Sequence, residues 1–126
     1  MRRHGQSGAL TAELVVVKPL LLLLLSAIVQ FALYERGEHV ATSAAQEAVA
    51  ATRVQGGSAA AGHARAEAVL RGLGSSLLVD PQISVVRAGG QAHANVSGYA
   101  EELVPFLHLP IHAVAQGPVE PSRGGP

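Results

Sequence analysis

Cysteine and tryptophan are both absent from the 126 residues, and only two tyrosines and two phenylalanines supply aromatic surface. Without cysteine there is no disulfide framework and no thiolate metal site, so any folded part is held by packing and hydrogen bonds alone. Without such cross-links the folded part is expected to be small. Charge of one sign is missing too: nine basic residues balance nine acidic ones, and the basic residues are scattered. That distribution leaves no electrostatic footprint for a phosphate backbone, which excludes nucleic acid as a partner.

One long apolar run dominates what is present. From Leu14 to Leu33 the chain is almost continuously apolar, with Leu20 to Leu25 at its heart. Roughly 20 residues at 1.5 Å each span a bilayer core of about 30 Å, so the run is expected to be a transmembrane helix contacting lipid. Arg2, Arg3 and Lys18 lie on its N-terminal side, whereas Glu35, Arg36 and Glu38 follow it with mixed charge. The positive-inside rule then places the N-terminus in the cytoplasm and the rest outside, in a single-pass inner-membrane topology. A conventional cleaved signal fits poorly, because Tyr34, Glu35, Arg36, Glu38 and His39 separate the run from the small residues that follow.

Four residues interrupt the run. Lys18 can snorkel its ammonium to the headgroups, and Pro19 removes one intrahelical hydrogen bond, to the Val15 carbonyl. Ser26 and Gln30 are spaced i, i+4 and share a side of the helix. Lys18, Ser26 and Gln30 are thus the candidates for contact with a partner helix, where polar side chains hydrogen-bond across the interface.

Beyond the run, Val40, Ala44, Ala48 and Ala51 recur at helical spacing, extending the helix to about Arg53, where Gly56-Gly57 breaks it. Ser58 is placed to cap a second helix ending near Leu73, with Gly72 and Gly74 as stop signals. The alanine stripe is shallow and suits close packing against another helix. Past Asp80-Pro81 the period becomes two: Ile83–Arg87 and Gln91–Tyr99 flank Gly89-Gly90 as a hairpin. Glu101–Pro110 reads as a linker, and residues 111–116 as a possible third strand. The predicted class is α+β: a long N-terminal transmembrane helix continuing into an alanine-rich helix, then a small antiparallel sheet of two to three strands. The expected divisions are a basic leader (1–8), the transmembrane helix (9–34), an exported helical region (35–78), a small β region (79–120) and a flexible tail (121–126).

Just before the span the chain reads Gly8-Ala9-Leu10-Thr11-Ala12-Glu13, and Glu13 is fifth counting from Ala9. This resembles the processing site of type IV prepilins, and the succession of elements resembles the TadE-like minor pilins of tight-adherence pilus systems. The likeness rests on the basic leader, the Gly-Ala-Leu-x-x-Glu motif, the Pro-Leu-Leu-Leu-Leu core at Pro19–Leu23, the alanine-rich helix and the closing hairpin. Lys18 and Leu14 depart from the aliphatic and aromatic residues expected at their positions. The resemblance implies cleavage between Gly8 and Ala9 by a prepilin peptidase. It also implies partners in other pilin-like subunits and a pilus assembly platform, and a structural rather than catalytic role. A carboxylate at Glu13 would then offset the desolvation of a neighbour's new amine at Ala9 and set a common register between subunits.

No catalytic constellation competes with that reading, and no cofactor is implied. His108 and His112 are four apart, but Pro110 lies between them and the HExxH arrangement is missing. The glycine pairs lack the lysine of a phosphate loop. The alternative function is an uncleaved, signal-anchored module that binds or regulates a secretion complex in the envelope.

Overall fold

The computed structural model describes the backbone of residues 2–73, 76–104 and 107–120, and side chains from Ala12 onward. Helix α1 runs from Arg2 to Arg53, α2 from Ala59 to Leu73, and three strands follow: β1 (Leu78–Ala88), β2 (Gln91–Ala100) and β3 (Pro110–Pro118). The class is α+β, as expected. Pro19 lies inside α1, which continues as helix on both sides of it. The tail 121–126 and the stop position Gly74 fall outside the described residues.

Gly56 ends the first helical segment with φ at +81°, and α2 folds back along α1. Ser58 caps α2 as its sequence suggests, its Oγ accepting from the Ala61 N–H at 3.0 Å. The two helices approach through small residues. Val40, Ala41, Ala44, Ala45, Ala48 and Val49 of α1 and Ala66 and Leu70 of α2 are buried together. Gly62 sits so near α1 that a Cβ there would lie 2.7 Å from the Ala48 carbonyl. Thr52, fully buried, returns its hydroxyl to that same carbonyl at 2.6 Å.

The sheet is antiparallel in the order β1-β2-β3. Gly89 and Gly90 form the two-residue turn between paired Ala88 and Gln91, with φ values of +61° and +75°. A primed hairpin turn needs positive φ at both positions, which glycine adopts without a Cβ clash. On β2 the alternation is clean: Ala92, Ala94, Val96, Gly98 and Ala100 point into the core. Leu78, Val96 and Ile111 are the largest apolar side chains fully enclosed there. Burial of each contributes about 1.5–3 kcal/mol relative to exposure.

One expectation is revised. Strand β1 begins at Leu78 and passes through Asp80-Pro81 rather than starting after it, with a register irregularity between Val79 and Gln82 and Asp80 at φ +50°. Proline is tolerated there because β1 is an edge strand, whose outward groups need no ladder partner. The alanine stripe packs against another helix as expected, α2 of the same chain, and the inner face of the sheet closes over it as well.

Candidate functional site

Helix α1 divides into two lengths of opposite character. Between Leu14 and Phe31 nearly every large apolar side chain is exposed, with Leu20–Leu25 each 57–64% accessible. From Val40 to Thr52 the same helix is the spine of the folded domain, its inward residues less than about a tenth exposed. The apolar length is a helix long and apolar enough to cross a membrane. Among the described residues nothing in the domain core uses it, so its apolar surface is left for lipid or for neighbouring helices.

Gln30 marks the junction between the two lengths. It is 2% exposed, and its amide is directed at the segment that follows β2. Nε2 donates to the Glu101 carbonyl at 2.9 Å, while Oε1 accepts from the Leu103 N–H at 2.7 Å and from the Val104 N–H at 3.1 Å. One side chain thus satisfies three backbone groups more than seventy residues away, groups that would otherwise lack partners beside an apolar helix. The sequence pointed to Gln30 as a group for a partner helix. In the folded chain its amide oxygen holds two backbone donors of its own subunit, because the β2–β3 connection returns to α1 at that level. Nothing in the sequence pattern near Glu101 signals this, since the partners are main-chain groups.

A second clasp holds the other end of the spine. Arg53 donates from Nε to the Pro118 carbonyl at 2.9 Å, and its own carbonyl accepts from the Glu120 N–H at 2.7 Å. From Gln30 to Arg53 is about 35 Å of helix, clamped at both ends by the chain that comes after it.

The remaining candidates are placed as follows. Gly8 and Ala9 lie within the helical backbone of α1, with side-chain surroundings outside the described residues. Glu13 and Lys18 are exposed, and neither takes part in the ion pairs of the described residues, which are Glu47–Arg65, His63–Glu67, Arg71–Glu67 and His108–Glu102. Ser26 is half-buried, one turn before Gln30. His108 and His112 do not share a helix face: His112 is exposed on β3, and His108 lies in the loop, 3.8 Å from Glu102 and edge-on to Tyr99. Among the described residues no group of three or more His, Asp or Glu side chains is arranged to hold a metal.

A cleft of 370 Å³ opens between α2 and β1, lined in part by His63, Glu67, Arg71 and Gln82. Its charged residues pair along the α2 surface at i, i+4, the ordinary pattern of a solvated helix face.

Residues 8–50 match the family described as TadE-like protein. The matched stretch contains the Gly8–Glu13 motif, the whole apolar run and most of the domain spine. No curated protein and no solved structure gives a significant match.

Proposed function

We propose that this chain, TadE-like over residues 8–50, works as a minor pilin-like structural subunit of a tight-adherence pilus or a related secretion apparatus. The observation that carries the reading is the division of α1. The folded domain completes its core without residues 14–29, and the helix that serves as its spine continues as an uncovered apolar rod. A domain on such a rod can be held in a bilayer before assembly and packed against other rods afterwards, since lipid and neighbouring apolar helices both cover its surface.

In this role the leader through Gly8 is removed on the cytoplasmic side by a prepilin peptidase, with the apolar helix retained in the inner membrane and the domain outside. The amine created at Ala9 lies one helical turn from Glu13. In a bundle of such helices the carboxylate of one subunit meets the amine of the next, and a charged group in an apolar setting is stable only when paired. Glu13 stands exposed at the start of the apolar length, available for that pairing. Ser26 and Lys18 are further polar positions at which neighbouring helices or headgroups are met.

Intact-mass measurement of the membrane-extracted protein, produced with and without a prepilin peptidase, tests the proposal. A peptidase-dependent loss equal to Met1–Gly8 is expected. Glu13→Ala should leave the chain in the membrane but abolish its incorporation into filaments. An unchanged mass with the peptidase present, together with indifference to Glu13→Ala, would overturn the pilin reading in favour of the uncleaved anchored module. The self-contained core of the domain is compatible with that second role.

A further inference from the structure

The exposed apolar residues of the folded domain are unevenly placed. Val54, Val86 and Val114 are dispersed and Leu73 lies beside Ser43 and Glu47, whereas Val79, Tyr99, Leu103 and Leu107 gather at the end from which the apolar length of α1 departs. Their position follows from contacts to α1. Leu103 is tied to Gln30 through its N–H, and Leu107 donates its N–H to the Val104 carbonyl at 3.2 Å. Tyr99 and Val79 pair with each other at the end of the sheet. The Leu77 carbonyl, which precedes β1, is close enough to Gly37 that a Cβ there would stand 2.8 Å from it.

These contacts assign a depth. Gln30 lies three residues inside the apolar run, about 4.5 Å before its end at Leu33, and Gly37 lies about 6 Å beyond that end. The segment Leu103–Val104 is therefore held level with the last turn of the apolar run, and the end of the sheet stands just above it. We propose that residues 101–104 and 107–109, between β2 and β3, form a membrane-interface anchor, with Leu103 and Leu107 entering the acyl boundary and Tyr99 lying at the headgroup level. The inference rests on the reading of residues 14–33 as a transmembrane span. Lipid is the occupant because this apolar patch is continuous with the span, and a helix in a bilayer cannot keep Gln30 at its depth without bringing the loop hydrogen-bonded to it to the same depth. Along the chain the patch is flanked by four carboxylates, Glu35, Glu38, Glu101 and Glu102, and by one guanidinium, Arg36, an acidic excess that suits a zwitterionic headgroup layer rather than an anionic one. The effect is to seat the domain on the membrane in one orientation, with Leu103 and Leu107 toward the lipid and the Gly89-Gly90 turn away from it.

Because the chain has no tryptophan, a single substitution supplies a clean reporter. Leu103→Trp, Leu107→Trp, Val114→Trp and Leu25→Trp are each reconstituted as full chains in phosphatidylcholine vesicles with and without brominated acyl chains. Leu25→Trp reports the span, and Val114→Trp reports the domain surface away from the patch. Leu103→Trp and Leu107→Trp are expected to show blue-shifted emission and about two-fold or greater quenching by the brominated lipid, while Val114→Trp is unquenched. Quenching of Leu25→Trp with solvent-like, unquenched emission from both loop reporters would overturn the anchor and leave the span standing. Blue-shifted but unquenched loop reporters that respond to the protein-to-lipid ratio would overturn it in favour of a second copy covering the patch. Absence of quenching at Leu25→Trp would remove the span itself, and the anchor with it.

Discussion

Replacing Gln30 with leucine separates two forces that act on the same residue in opposite directions. Leucine is of similar size and prefers an apolar setting, so Gln30→Leu strengthens the hold of the span in lipid. It also deletes the acceptor of the Leu103 and Val104 N–H groups and the donor to the Glu101 carbonyl. Each hydrogen bond is worth about 0.5–1.5 kcal/mol net, and a donor left unpaired in a buried place costs about 1–3 kcal/mol. The three bonds are only partly buried and water can reach some of the freed groups, which brings the expected loss to about 1.5–3 kcal/mol. That loss is local. The sheet centre, with Val96 and Ala113 buried and fully laddered, retains its packing. Amide hydrogen exchange on the full chain in micelles reads the effect directly: Leu103 and Val104 should exchange about 10- to 100-fold faster in Gln30→Leu, while Val96 and Ala113 are unchanged. Unaltered exchange at Leu103 and Val104 would refute the reasoning, because it would mean that the loop is held by its own turn and not by the helix.

Further outcomes follow from the helix pair. Gly62→Ala gains about 1 kcal/mol of helix propensity but drives a Cβ against the Ala48 carbonyl and Thr52, and overpacking of this kind costs about 1–3 kcal/mol. A lowered Tm of the full chain in detergent is expected, only partly restored by adding Thr52→Ala because the carbonyl remains in place; an unchanged Tm would contradict the close helix contact. Ser58→Ala removes the oxygen that accepts from Ala61 and should cost about 0.5–2 kcal/mol, whereas Ser58→Asp keeps an acceptor and should stay near the parent in denaturant unfolding. Equal stability of both variants would show that the α2 start needs no cap.

Much of this architecture is written in local patterns. The apolar run, the extent of the alanine-rich helix, the Ser58 cap and the Gly-Gly hairpin each depend on neighbours within a few residues, and each is found where those residues lead one to expect it. Two features are not written there. Strand β1 crosses Asp80-Pro81, a dipeptide that argues against a strand until the sheet order shows β1 to be an edge. The role of Gln30 depends on groups 71–74 residues away. The sequence alone determined the long helix, its apolar length and the class of the domain, because side-chain periodicity reports directly on which face is buried. Only the tertiary structure decided what covers the alanine stripe and which backbone groups the Gln30 amide holds, because every residue carries the same N–H and C=O and no side-chain pattern marks which of them will meet.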